Sequence, residues 1–319
     1  MTLTFLPDTR GPQAAYLFPG QGAHRVGMGQ ELFDNSEAAR DVFGQVDEAL
    51  GRPLTKLIFE GPEEELRETA NAQPAIMAVS LACVKAMEEK LGAESMPSPV
   101  VMAGHSLGEY TALAVAGVLD VADTAYLVQA RSSLMQQACD RNPGTMAAIL
   151  GLDEMTAEEI ARETGTYISN INTAEQIVIS GERMAIARAL DLASARGAKK
   201  VIPLRVGGAF HSGLMESART GLAEAMEKVT FSDPEVPIIG NCTGRPLTTT
   251  DSIKQELVSQ VCDCVQWKRS VDYMVDAGVS EFIEVGPGTA LSGMVRRIAR
   301  GAKTTNVSDL DSILSLHRN

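Results

Sequence analysis

The chain predicts an α/β protein in which a body built on a parallel sheet carries an inserted α+β unit. Three observations predict it. Short apolar runs alternate with longer segments of helical period, the texture of strands that need crossover helices. One such run, Val100-Val101-Met102-Ala103, passes directly into Gly104-His105-Ser106-Leu107-Gly108 and then into a helix-compatible segment. Between about 141 and 206 the order changes to β-α-β-β-α-β, which can bury a small core of its own.

Taken in order, Ala14-Ala15-Tyr16-Leu17-Phe18 reads as the first strand, ended by Pro19-Gly20-Gln21-Gly22. Helical patterns over about 36–50, 74–91 and 121–140 surround a strand at 99–103, and Glu281 to Val285 reads as a late strand ended by Gly286-Pro287-Gly288. Within the insertion, strands are expected at 145–150, 167–171, 176–180 and 200–206, with helices at 153–164 and 182–196. That order defines a ferredoxin-like subdomain over 141–206, leaving 1–140 and 207–319 as the body. The tail from about Gly301 is weakly patterned.

Composition narrows the function classes. A chain of 319 residues with 45% apolar content can bury a large core. It has no apolar run of about 18 residues and its first residues lack the basic-then-apolar order of a signal peptide, so a cytoplasmic protein with no membrane partner is expected. A net charge of −13 argues against a broad nucleic-acid surface, though one local cation could still hold an anionic substrate. Five cysteines are an odd number with no zinc spacing, so neither a disulfide framework nor a metal is expected.

Gly-x-Ser-x-Gly between a strand and a helix is the context of a nucleophile elbow. The glycines allow a tight turn that pushes Ser106 off the sheet, and the helix N-terminus offers N–H groups to an oxyanion, Leu107 first. A serine nucleophile needs a base, and the chain has four histidines. His105 adjoins the serine and is poorly aimed, because neighbouring extended residues point to opposite faces. His317 lies near the C-terminus, and His24 in a loop stays a rival. His211 in Gly207-Gly208-Ala209-Phe210-His211-Ser212 sits at a strand-to-helix junction and is the preferred base. No acidic third partner is evident.

Arg131 falls within the apolar stripe of the 121–140 helix, near Leu127, Val128, Leu134 and Met135. An inward guanidinium needs an anion. Sequence position alone leaves two choices, an internal ion pair or a substrate carboxylate.

Eight ordered blocks then carry a resemblance: Phe18-Pro19-Gly20-Gln21-Gly22; Gly104 to Tyr110; Arg131 within QARSSLMQQA; Gly144 to Ala148; Gln176 to Gly181; Gly208 to Ser212; Val265-Gln266-Trp267; and Glu284 to Gly288. Over roughly 14–295 the chain resembles malonyl-CoA:acyl carrier protein transacylases. The resemblance implies an α/β-hydrolase-like body, with malonyl-CoA and acyl carrier protein as partners; no cofactor beyond the coenzyme A thioester used as substrate is expected, and the protein is expected to act as a monomer. It implies Ser106 as the acylated nucleophile, His211 as base, Arg131 as the malonyl carboxylate ligand, and the N–H groups of Gln21 and Leu107 as oxyanion hole. It also implies the Gln266 carbonyl as the group orienting the histidine, and Phe210 as a neighbour of the acyl group that favours malonyl over branched analogues. Two departures stand out: Ala23-His24 replaces a common Ser-Gln, and the triplet Cys262-Asp263-Cys264 ahead of Val265-Gln266-Trp267 is unfamiliar. A malonyl transferase serving a polyketide pathway, or a serine acyl hydrolase on the same elbow, is the alternative.

Overall fold

The computed structural model describes residues 13–92 and 95–316. Its strands are β1 (Gln13–Phe18), β2 (Pro99–Gly104), β3 (Gly144–Leu150), β4 (Tyr167–Thr173), β5 (Gln176–Glu182), β6 (Lys200–Pro203), β7 (Ile238–Ile239), β8 (Pro246–Leu247), β9 (Val279–Val285) and β10 (Lys303–Val307). The larger sheet runs β10-β9-β1-β2-β7-β8, and all its pairings are parallel except β7 with β8. β1 and β2 are buried almost throughout, as strands covered on both faces by helices must be.

The smaller sheet runs β4-β5-β3-β6 with antiparallel pairings, the strand order of a split βαβ unit. Its helices, Glu154–Thr164 and Arg183–Ala195, cover one face through Ile160, Ile186 and Ala189. The fold class expected from the sequence is therefore observed, an α/β body with a ferredoxin-like insertion.

Three local differences have physical causes. The helix expected from 74 begins at Thr69, with Pro74 inside it. Proline removes the N–H that would serve the Ala70 carbonyl, and the Arg52 guanidinium donates to that carbonyl instead at 3.2 Å. The strand expected over 200–206 ends at Pro203, although Leu204 N–H still donates to the Met146 carbonyl at 2.9 Å. Beyond it, Arg205 to Gly207 leave the sheet and line the cleft described below. The tail contributes β10, a half-buried edge strand whose alternation is too weak to read, and a helix over Leu310–Leu316. Among the described residues no helix is long and apolar enough to cross a membrane, and no group of His, Cys, Asp or Glu is placed to hold a metal ion.

Candidate active site

The elbow is dictated by sterics. β2 ends at Gly104 and the next helix, Gly108–Val115, begins four residues later. A Cβ on Gly104 would lie 1.9 Å from the Gly108 carbonyl carbon, and one on Gly108 would lie 2.0 Å from the Phe18 carbonyl oxygen. Only glycine fits either position. Ser106 between them adopts φ 52°. That left-handed conformation costs a non-glycine residue about 1–2 kcal/mol and is held by its surroundings. Ser106 N–H donates to Asn241 Oδ1 at 2.7 Å, and Asn241 Nδ2 donates to the Gly104 carbonyl at 2.7 Å.

His211 is the other non-glycine residue with positive φ among the described residues, at 54°. Its Nε2 lies 2.8 Å from Ser106 Oγ, and its Nδ1 lies 2.7 Å from the Gln260 main-chain carbonyl. A carbonyl can only accept, so Nδ1 carries the proton and Nε2 is left as the acceptor for the serine hydroxyl. Burial, and next the Arg131 charge, push the imidazole pKa down to about 3, so the ring is neutral. Among the described histidines, His211 is the one hydrogen-bonded to Ser106. His105 Nε2 is turned away to Asn172 Oδ1 at 2.9 Å. His24 lines the same cleft without a hydrogen bond to Ser106, and His317 lies outside the described residues.

The orienting carbonyl is a correction. Gln266 was the expected donor of that carbonyl, but it caps the helix Trp267–Asp276, and its oxygen accepts Ser270 N–H at 2.9 Å and Ser270 Oγ–H at 3.2 Å. Gln260 ends the helix Thr250–Gln260, where the last carbonyls have no partner within the helix and are free to meet a side chain.

Arg131 is 1% exposed and forms no ion pair among the described residues. Its terminal nitrogens donate to Gln73 Oε1 at 2.5 Å, to Gln260 Oε1 at 2.7 Å and to Ser106 Oγ at 3.0 Å, and its Nε–H has no acceptor. Its guanidinium carbon sits 5.5 Å from the centre of the Tyr110 ring. The internal ion pair left open by the sequence is therefore absent: neutral amides hold a buried cation against the serine.

These groups meet at a cleft of about 960 Å³ between the elbow, the loop Pro19 to His24 and the second sheet. Ser106, His211, Gln73 and Phe210 border it, while Arg131 lies behind Gln73 and Ser106. Phe210 is 5% exposed and is fixed through its carbonyl, which accepts Ser169 Oγ–H at 3.0 Å. No acceptor among the described residues takes the N–H of Gln21 or of Leu107, the latter at the amino end of the elbow helix. The Gln21 side chain is anchored instead, donating to Thr69 Oγ1 at 3.2 Å. Sequence reasoning missed Gln73, Asn241, Gln260 and Glu109. Glu109 stands inside the Gly104 to Tyr110 stretch and is fully buried, a signal that a helix pattern alone does not resolve.

A strained serine on a strand-to-helix elbow, bonded to a neutral histidine and followed by the unclaimed N–H of Leu107, defines a serine-nucleophile acyl-transfer protein. Residues 15–319 match the acyl transferase domain family. The chain is 41% identical over 304 residues to the malonyl CoA-acyl carrier protein transacylase of Bacillus subtilis, covering 94% of each. The acyl-carrier-protein-S-malonyltransferase of Bartonella henselae superposes with a TM-score of 0.92 at 41% identity, over 96% of this chain and 98% of that one. A malonyl-transacylase solved in complex with a type II PKS acyl-carrier protein gives 0.91 at 36% identity, over 96% and 99%. The chain belongs to the malonyl-CoA:acyl carrier protein transacylase family.

Proposed function

We infer that the protein transfers the malonyl group of malonyl-CoA to the phosphopantetheine thiol of acyl carrier protein, supplying extender units for fatty-acid synthesis through a malonyl ester on Ser106. The observation that carries this reading is the Arg131 guanidinium, buried without a carboxylate and 3.0 Å from the serine oxygen. A buried cation without an ionic partner is costly, and a carboxylate on the acyl group supplies the missing charge with two parallel hydrogen bonds. A hydrolase of neutral esters has no use for it.

The chemistry follows from the hydrogen bonds. Ser106 Oγ attacks the thioester carbonyl as its proton moves to His211 Nε2. The tetrahedral oxyanion is met by the N–H groups of Leu107 and Gln21. Collapse breaks the C–S bond, and His211 returns the proton to the departing coenzyme A sulfur. In the second half-reaction the carrier thiol gives its proton to His211 and attacks the ester carbonyl. Ser106 then leaves as the alcohol and takes that proton back. The Gln260 carbonyl stabilises the imidazolium in each half, in place of an acidic third residue. The malonyl carboxylate reaches Arg131 by displacing Gln73 Oε1, whose amide nitrogen is held only by long contacts of 3.5 Å to Gln21 Oε1 and 3.7 Å to Met135 Sδ. Pinning the acyl group this way orders it for the thiol and disfavours water.

All these groups come from one chain, which supports action as a monomer, and the 141–206 insertion supplies one wall of the cleft. Intact mass decides the reading: malonyl-CoA should add one malonyl group, and carrier protein should remove it. An adduct that water removes equally fast in the absence of carrier would return the hydrolase alternative.

A further inference from the structure

Glu109 is fully buried beneath the elbow and takes no part in the transfer steps above. Its Oε1 accepts Asn241 N–H at 3.1 Å, and its Oε2 accepts Gln260 Nε2–H at 2.5 Å. Gln260, itself fully buried, joins the whole site. Its Nε2 also donates to the Ser106 carbonyl at 2.8 Å, its Oε1 accepts from Arg131 at 2.7 Å, and its main-chain carbonyl holds His211.

A side-chain amide can be turned over, exchanging its oxygen for its NH2 group, unless its neighbours forbid it. Two acceptors, Glu109 Oε2 and the Ser106 carbonyl, sit on one side of the Gln260 amide, and a pure donor, Arg131, sits on the other. The turned-over amide would set oxygen against oxygen and NH2 against the guanidinium.

We propose that Glu109 is a positioning residue for acyl selectivity, holding the Gln260 amide with its oxygen on Arg131 so that the guanidinium faces Ser106 with no carboxylate of the protein upon it. A carboxylate placed directly on Arg131 would form an ion pair that an incoming malonyl group must break, whereas a neutral amide aims the guanidinium and leaves its charge to the substrate. Holding the acid one amide away meets both needs. The proposal rests on malonyl transfer being the reaction.

Glu109→Gln keeps the volume but cannot satisfy both neighbours, because Asn241 N–H and Gln260 Nε2–H each need an acceptor and glutamine offers one oxygen. The Gln260 amide is then free to turn over. Transfer to carrier protein is measured with malonyl-CoA and acetyl-CoA. The expected result is a fall of about tenfold in malonyl kcat/KM, the scale of one misdirected charge-assisted hydrogen bond, carried mainly by KM. Acetyl kcat/KM should stay within about twofold, since a neutral acyl group does not use the guanidinium as a ligand. Glu109→Asp, which keeps two acceptor oxygens on a shorter arm, should restore part of the malonyl preference.

A parallel fall for both acyl groups together with a lower Tm would overturn the proposal in favour of a purely structural carboxyl, and so would an unchanged malonyl-to-acetyl ratio. Should Glu109→Gln fail to fold, Glu109→Asp decides: its shorter arm loosens the hold on the Gln260 amide while leaving Gln260 and its main-chain carbonyl in place. A malonyl-selective loss supports the assignment, and an equal loss for both substrates sinks it. Failure of the malonyl reading itself is seen separately, as the absence of a malonyl adduct on the unmodified protein.

Discussion

Replacing Arg131 with alanine removes a guanidinium that is 1% exposed and donates to Gln73, Gln260 and Ser106. Two effects follow, and they can be measured apart. In the empty protein, Gln73 Oε1 and Gln260 Oε1 lose their donor, at about 1–3 kcal/mol for each buried acceptor left unmet. Eliminating a buried cation that has no ionic partner offsets part of this, so a modest fall in Tm is expected. In the malonyl complex the substrate carboxylate loses its two-pronged partner in a sheltered site, which costs about 2–5 kcal/mol, or about 30- to 4,000-fold in malonyl kcat/KM. Acetyl has no carboxylate to desolvate, and the space vacated by the guanidinium accepts a neutral chain, so acetyl kcat/KM should hold or rise. Arg131→Lys keeps the charge without the planar fork and should lie between. The assay is kcat/KM for malonyl-CoA and acetyl-CoA on the same folded variant, with circular dichroism as a check of fold. Equal losses for both thioesters would refute the carboxylate-clamp reasoning, because they would mean that Arg131 serves Ser106 or the fold and not the acyl group.

Ser106→Ala should abolish the malonyl adduct seen by intact mass, and His211→Ala should slow acylation by about a hundredfold or more, the scale of a lost general base; equal slowing by His24→Ala would reassign the base. The folded-state pKa of His211 is pushed from 6.5 down to about 3 by burial and then by Arg131. The unfolded chain therefore binds more protons than the folded one across that window, so the contribution of His211 to stability grows from pH 3 to pH 6.5 and is flat above. Accordingly, the acid limb of malonyl kcat/KM due to this group should lie well below pH 6.5, and the kcat limb should lie higher, since a bound carboxylate cancels the Arg131 charge; a kcat/KM limb at 6.5 would show an exposed imidazole. Phe210 borders the cleft beside the base, and Phe210→Ser should raise the use of methylmalonyl-CoA relative to malonyl-CoA by about 10- to 200-fold, the worth of one methylene-sized contact. An unchanged ratio would move the selectivity elsewhere.

What could be read from the chain was whatever a short stretch of backbone decides alone. The elbow is local: no side chain fits at Gly104 or Gly108, so the glycines, the strand before them and the helix after them already specify where Ser106 must project. Arg131 could be placed inward because helical period ties it to the apolar residues one turn away, and the β-α-β-β-α-β order specified the second sheet because each element borders the next in sequence. Tertiary packing decided the rest. Ser106 and His211 are 105 residues apart, Arg131 and Gln260 are 129, and Glu109 and Gln260 are 151. No periodicity reports which carbonyl a distant helix leaves unpaired, so the orienting group fell to Gln260 and not to Gln266, whose own carbonyl is consumed by the helix it caps. The same holds for Arg131: its place in the stripe is a property of one helix, but whether an acid or an amide waits for it depends on how the helices pack, and here that packing brings the Gln73 and Gln260 amides to a cation and leaves its charge to be met by substrate.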